Sequence, residues 1–194
     1  MSPRVGLEMS QILKTAAEMI DSEGNHELTL TKLAQKLAIK PPSLYNHITN
    51  LQDLRNRLSL YGLRMLYDDM LMATTETEPD QLRALARAYI TFARNHPGLY
   101  EVTLKAPEKL NDIKNEEIGK QIIDLVIKCL KPYKLSYEES IHAVRVFRST
   151  LHGFASLERQ GGFGIELSID ESIEFFLKTY VTGIKVIFRS EPSV

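Results

Sequence analysis

The segment Leu28-Thr-Leu-Thr-Lys-Leu-Ala-Gln-Lys-Leu-Ala-Ile-Lys-Pro-Pro-Ser-Leu-Tyr-Asn-His-Ile48 decides the fold of this chain. Its first half has leucines at helical spacing, and Thr29 is a residue type that caps helix N-termini. Ala38-Ile-Lys-Pro41 then forms a tight connection, and a second short helix is predicted to begin at Pro42 or Ser43, where proline is well tolerated. Two short helices joined by such a turn are typical of a helix-turn-helix.

A preceding amphipathic helix completes a three-helix unit. Apolar residues recur at helical spacing from Glu8 to Glu23, and Gly24, which adopts positive φ readily, is predicted to end this helix. The expected core of the unit consists of Leu30, Leu33, Leu37, Leu44 and Ile48.

The rest of the 194-residue chain also shows helical periodicity, and almost no segment alternates as a strand would. Ser136 with Glu139, and Ser168 with Glu171, have the spacing of capping boxes at helix starts. The boundaries predict about nine helices. They include a long helix at about Leu51–Ala73, a short one around Leu99–Leu104, and helices at about Pro107–Lys131 and Ile169–Arg189. We therefore expect an all-α protein, with a helix-turn-helix domain at residues 1–50 and a C-terminal helical bundle at residues 51–194.

Composition excludes several classes of protein. Hydrophobic residues make up 43% of the chain and charged residues 25%, which excludes an intrinsically disordered chain. No stretch approaches the roughly 18 apolar residues of a membrane span, and no secretory signal is visible. The single cysteine, Cys129, excludes an internal disulfide and a multi-cysteine zinc site. We expect a cytoplasmic protein that makes no contact with membranes.

The chain also lacks a recognisable catalytic or metal-binding constellation. Glu139-x-x-His142 has the spacing of a di-iron ligand pair, but such sites need a second pair, which is missing. Glu139 is already explained as a helix cap. We expect no cofactor, no metal and no enzymatic activity.

Charge is unevenly distributed along the chain. The net charge is -1, yet residues 1–64 are net positive. Between Glu27 and Asp53 there is no acidic residue, while Lys32, Lys36 and Lys40 are present. Such a stretch could lie against phosphates, or it could be a solvated surface that happens to lack acids.

The runs Lys32-Leu-Ala-Gln-Lys-Leu37 and Ser43-Leu-Tyr-x-His-Ile48 resemble the N-terminal domain of the tetracycline-repressor (TetR) family. The resemblance is strong over residues 8–60, and the all-helical remainder agrees with it. It implies a DNA-binding transcriptional regulator, usually a repressor, that binds a palindromic operator as a dimer. A small apolar or amphipathic effector would release it.

The resemblance further implies that the second short helix enters the major groove of double-stranded DNA. Pro41, Pro42 and Asn46 would face the bases, because an Asn amide can pair with adenine and a proline ring can contact a thymine methyl. The residues expected near the DNA backbone are Thr29, Thr31, Lys32, Ser43, Tyr45 and His47. In the alternative, Tyr45 packs against the first helix and His47 is a solvated surface residue.

The chain departs from the family at Leu51, where many members carry a phosphate-binding lysine. Affinity would then depend on Arg55, Arg57 or Arg4 in the N-terminal arm.

The last helix has more apolar surface than a single stripe, which predicts a homodimer interface formed by the last two helices. The expected interface residues are Gly153, Ile173, Phe176, Tyr180, Gly183, Ile184 and Ile187. The alternative is that this helix is buried within the monomer.

The segment from Phe147 to Glu158 resembles a TetR subgroup whose C-terminal domain is named for a Trp and a His-Gly pair. His152 and Gly153 match, but Arg148 stands where the Trp is expected. An effector pocket would lie among the C-terminal helices, although each candidate could equally be plain core. The candidate lining residues are Met65, Met70, Tyr89, Phe92, His96, Leu99, Tyr100, Phe147 and His152.

Two rival functions remain open from the sequence. One is a helical-bundle enzyme with an architectural N-terminal domain, and the other is a DNA-binding adaptor that takes no ligand.

Overall fold

The computed structural model describes residues 7–74, 80–104 and 113–187, and these residues form helices joined by turns, without a strand. This confirms the all-α prediction. Within these described ranges the nine α-helices are α1 (Met9–Glu23), α2 (Leu30–Lys36), α3 (Pro41–Leu44), α4 (Leu51–Ala73), α5 (Gln81–Asn95), α6 (Pro97–Leu104), α7 (Ile113–Leu130), α8 (Tyr137–Arg159) and α9 (Ile169–Ile187). None of the described helices combines the length and apolarity needed to cross a membrane.

The helices form two compact units. The described residues of the first unit fall within Met1–Met65 and Asn95–Glu116, and those of the second within Leu66–Arg94 and Glu117–Val194. Helix α4 therefore contributes residues to both units. The predicted domain boundary at residue 50 stays a prediction.

Local signals place the end of α1 and the start of α2 as expected. Gly24 ends α1 with φ of 90°, and Thr29 caps α2 by accepting a 3.2 Å hydrogen bond from the Lys32 backbone N–H. Helix α3 begins one residue earlier than predicted, at Pro41. The reason is that both Pro41 and Pro42 lie in the first turn, where no intrahelical N–H is required.

The turn of the helix-turn-helix is a Schellman motif with an alanine in the left-handed position. Ala38 has φ of 54°, its N–H donates to the Gln35 carbonyl at 3.0 Å, and the Ile39 N–H donates to the Ala34 carbonyl at 3.0 Å. Most Schellman turns place glycine here, because a Cβ is strained at positive φ. The motif directs the chain from α2 into α3.

Replacing Ala38 by glycine is therefore expected to raise the free energy of unfolding by about 0.5–1 kcal/mol, since relief of left-handed strain exceeds the added chain entropy. Urea denaturation followed by circular dichroism measures this change. The matched control is Ala88→Gly inside α5, which should lower the free energy of unfolding by about 1 kcal/mol. A loss of stability at position 38 would contradict the assignment of strain to this turn.

Helix α6 starts against α1 within the first unit. The Asp21 carboxylate accepts a 2.8 Å hydrogen bond from the Leu99 backbone N–H and lies 2.9 Å from Nδ1 of His96. Asp21 thus caps the N-terminus of α6 from another helix. The sequence predicted a start at Leu99 rather than Pro97, because this cap is distant along the chain.

In the second unit, α8 and α9 both begin after a capping serine. Ser136 and Glu139 form both halves of the predicted capping box at the start of α8, which confirms it. At the start of α9 the Ser168 hydroxyl accepts a 3.3 Å hydrogen bond from the Glu171 N–H. The ends predicted for α7 at Pro107 and for α9 at Arg189 lie outside the described residues.

Aromatic rings join α8 to α9. The Phe147 ring lies 5.6 Å from that of Tyr180 and 6.3 Å from that of Phe176. The Tyr180 hydroxyl donates a 2.7 Å hydrogen bond to the Ala143 carbonyl, and its burial raises the pKa of Tyr180. Arg94 of α5 adds ion pairs to Glu158 and to Asp170, each with N–O distances below 3 Å.

Candidate nucleic-acid interface

Helix α3 presents its polar side chains outward while its apolar residues anchor it. Leu44 and Ile48 are 0% and 2% exposed, and Leu33 of α2 is fully buried beside them in the core of the first unit. Tyr45, by contrast, is 58% exposed. The helix is short, and hydrogen-bonded turns follow it as far as His47. Such an arrangement leaves one face of α3 available to a groove.

All nine predicted DNA-contact residues lie at the surface of the first unit. Seven are exposed, namely Thr29, Thr31, Lys32, Pro41, Pro42, Tyr45 and Asn46. Two are half-buried, namely Ser43 and His47. The structure therefore brings these residues together on α2, α3 and the turns beside them, and their contacts with DNA stay a prediction.

Helix α4 follows α3 after a short connection at residues 45–50 and has its own cap. The Asn50 side chain accepts a 2.9 Å hydrogen bond from the Asp53 N–H, and the Asp53 carboxylate accepts one of 2.9 Å from the Thr49 N–H. Partial burial favours the neutral acid, but hydrogen bonds from Thr49 and Arg57 hold the pKa of Asp53 below its usual value. A charged Asp53 thus fixes the junction between α3 and α4.

The cations near α3 are less free than the sequence indicates. Lys32 donates to the Glu27 carboxylate, and Lys36 Nζ lies 2.7 Å from Oε1 of Glu23. Arg57 Nε lies 2.8 Å from the Asp53 carboxylate, so one of the arginines expected to replace the missing lysine at Leu51 is already paired.

Two other cations near α3 differ in availability. Arg55 is half-buried, and its Nε has no hydrogen-bond partner among the described residues. Lys40 is exposed, immediately precedes α3, and makes no ion pair with any described residue. Lys40 was left out of the predicted contact residues. Its place directly before Pro41 is the sequence signal that could have found it.

The predicted pocket residues are divided between the two units. Met65, His96, Leu99 and Tyr100 belong to the first unit, and His96 is engaged by Asp21. Those in the second unit are Met70, Tyr89, Phe92, Phe147 and His152. The two clefts described on the second unit are lined by other residues. The effector site therefore stays a prediction.

The predicted dimer residues of α8 and α9 differ in exposure. Ile173 and Ile184 are 4% and 6% exposed, so they face the core of the chain itself. Ile187 is 64% exposed. The remaining residues are half-buried, namely Gly153, Phe176, Tyr180 and Gly183. Phe175 was not among the predicted residues, yet it is 73% exposed.

A compact three-helix start, an outward-facing α3 and an all-α remainder define a helix-turn-helix protein of the transcription-regulator class. A family model described as "Tetracyclin repressor-like, C-terminal domain" matches residues 82–180. The "Uncharacterized HTH-type transcriptional regulator YobS" of Bacillus subtilis (strain 168) is 40% identical over 188 residues, covering 96% of this chain and 97% of its own. The chain belongs to the TetR family.

Solved structures share the fold. One is BioQ with its natural double-stranded DNA operator, which has a TM-score of 0.66 at 20% identity and covers 93% of this chain and 99% of its own. Another is a TetR variant from Acinetobacter baumannii AYE in complex with minocycline, with a TM-score of 0.70 at 20% identity, covering 93% of this chain and 98% of its own.

Proposed function

We propose that this TetR-family regulator binds a palindromic operator through α3 and acts by binding rather than by catalysis. The observation that carries the proposal is the arrangement of α3, where buried Leu44 and Ile48 hold exposed Pro41, Pro42 and Asn46 outward. An asparagine on such a helix can pair with an adenine edge, and phosphate contacts beside it set the register. A cytoplasmic location follows from a DNA partner.

A dimer is the second part of the proposal. A single helix of this size reads few base pairs, so such units work in pairs with recognition helices about 34 Å apart. Thr150 and Phe154 of α8 line one groove together with Phe175 and Thr179 of α9. This groove supports the proposal that α8 and α9 form a surface onto which the same surface of a second subunit packs.

The effector is the third part. We propose that a small apolar or amphipathic molecule binds within the second unit and weakens operator binding, as the minocycline complex of the related fold suggests. Thermodynamically, such a ligand must favour the conformation that binds DNA poorly. Repression of transcription would then be relieved by the ligand.

The enzyme alternative has less support. Glu139 is occupied as a helix cap, and burial raises the pKa of the Cys129 thiol to about 11, which disfavours a nucleophilic thiolate at neutral pH. The adaptor alternative differs from the proposal only in lacking an effector, so a ligand-dependent loss of DNA binding separates the two.

The proposed roles of the residues on and after α3 predict two kinds of effect on DNA binding when these residues are substituted. Asn46→Ala should relax sequence preference at one or two base pairs, whereas Tyr45→Phe and His47→Ala should weaken binding to all sequences by a few-fold. Selection of bound duplexes from a randomised pool, followed by sequencing, measures preference for the wild type and each variant.

Tyr45→Phe serves as the control in this selection, because it removes a hydroxyl from the same surface without touching a base. An unchanged preferred site in Asn46→Ala would show that Asn46 does not read bases. Failure of the wild type to enrich any duplex would contradict the proposed function itself.

A further inference from the structure

The lysines of the acid-free stretch in the first unit pair with acidic residues that border this stretch. No Asp or Glu occurs between Glu27 and Asp53, but the end of α1 and the turn after it supply acids from outside that stretch. Glu27 pairs with Lys32, five residues on, and Glu23 pairs with Lys36, thirteen residues on. Two of the three lysines near α3 are therefore neutralised within the chain.

These pairs lie at the surface. The side chains of Lys32 and Lys36 are 46% and 45% exposed, and those of Glu27 and Glu23 are 42% and 38% exposed. Salt bridges so open to solvent are weak and exchange readily. A phosphate group could therefore take the place of either carboxylate.

The protonation states agree with ion pairing. The hydrogen bond with Lys32 lowers the pKa of Glu27, and the same bond raises the pKa of Lys32. His26 adds a further contact, with Nε2 at 3.6 Å from the other carboxylate oxygen of Glu27. Both partners of the Lys32 pair thus carry full charge near neutral pH.

A carboxylate and a phosphate compete for the same ammonium group. When Lys32 or Lys36 moves to a DNA phosphate, the chain loses an internal pair and leaves a negative charge beside the DNA. Both effects oppose binding. Lys40 has no acidic partner among the described residues, so its contact with a phosphate would break no internal ion pair.

We propose that Glu23 and Glu27 are positioning residues that set DNA affinity, because they hold Lys36 and Lys32 in the free protein and weaken binding to duplex phosphates. The proposal rests on the proposed function, since it presumes that this surface of the first unit meets DNA. It adds to that function a defined pair of residues whose removal strengthens binding.

The test measures binding of the full chain to a random-sequence duplex, so it needs no knowledge of the operator. Glu27→Gln and Glu23→Gln should each raise affinity by about twofold to fivefold, which is the range expected for an exposed ion pair. Both changes together should give roughly tenfold. The gain should shrink at high salt, because screening weakens exposed charges.

The matched control is Glu18→Gln, which removes an exposed carboxylate from the same helix α1 without breaking a described ion pair. It should change affinity by much less than either pair-breaking variant. A double-mutant cycle adds a readout that general charge cannot explain: in a Lys32→Gln background, Glu27→Gln should lose the part of its effect that comes from the broken ion pair.

The outcomes separate the two proposals. If the wild type binds duplex but Glu27→Gln and Glu23→Gln match Glu18→Gln, or bind more weakly than the wild type, the affinity-setting role is overturned and the proposed function stands. A full gain from Glu27→Gln in the Lys32→Gln background also overturns it. If the wild type binds no duplex at any salt concentration, the proposed function fails and the inference fails with it.

Discussion

Replacing Gly98 by alanine should lower the free energy of unfolding by about 3–5 kcal/mol, a large part of the stability of a typical domain. Gly98 is the second residue of α6, and its position touches the backbone of α1. A Cβ built there would lie 2.0 Å from the Ile20 carbonyl oxygen and 2.9 Å from the Asp21 nitrogen. Backbone atoms cannot rotate aside as a side chain can, so the helices must separate.

Separation of α1 from α6 also breaks polar contacts. The Asp21 carboxylate would lose its 2.8 Å hydrogen bond to the Leu99 N–H and its contact with His96. A carboxylate left partly buried without these partners is costly, because hydrogen bonds to charged groups contribute about 1.5–3 kcal/mol each. The steric and polar losses therefore add.

Urea denaturation of Gly98→Ala against the wild type measures the effect. Gly119→Ala inside α7 is the matched control, because a Cβ there meets nothing within 4 Å. This control should gain stability by up to about 1 kcal/mol, since alanine favours helix more than glycine does. A loss below about 1 kcal/mol for Gly98→Ala would show that α6 does not need this close approach.

Replacing Phe175 by glutamate should convert a dimer to monomers and reduce operator affinity at least about a hundredfold, toward the level of non-specific binding. Phe175 is 73% exposed on α9, beside the groove that α8 and α9 form. A carboxylate carried into an apolar interface loses hydration without gaining a partner, which costs several kcal/mol. The monomer itself should remain folded, because the side chain faces solvent.

Phe176, one of the interface residues predicted from the sequence, is a poorer position for this substitution. Its ring lies 5.5 Å from that of Tyr180 and 6.4 Å from that of Phe154, so a charge there would disturb the subunit as well. A charge must be placed at an exposed position if loss of the dimer is to be distinguished from unfolding of the subunit.

Sedimentation equilibrium gives the oligomeric state of Phe175→Glu, and a gel shift gives its operator affinity. Met72→Glu is the matched control, since Met72 is 77% exposed on α4 and does not line the described groove. It should sediment and bind as the wild type does. An unchanged dimer in Phe175→Glu would place the interface elsewhere, and a monomeric wild type would remove the dimer from the proposal.

Short-range signals in the sequence were sufficient for several of the helix ends. Thr29, Gly24 and the Ser136–Glu139 pair act within a few residues of themselves, so the helix ends they predict are confirmed. Helix α4 was predicted at Leu51–Ala73 and has these bounds. The start of α6 was misplaced by two residues because its cap, Asp21, comes from a distant helix.

The sequence by itself determined the helix-turn-helix, the family and which face of α3 is polar, because periodicity and capping depend on neighbouring residues. Only the tertiary structure decided which charges and apolar side chains are free. Lys36 lies in an acid-free stretch but meets Glu23 when α1 packs against α2, and Lys32 meets Glu27 in the turn between these helices. Likewise Ile184 turns inward while Phe175 stays in solvent. Pairing and burial depend on how helices meet in space, and no local pattern contains that information.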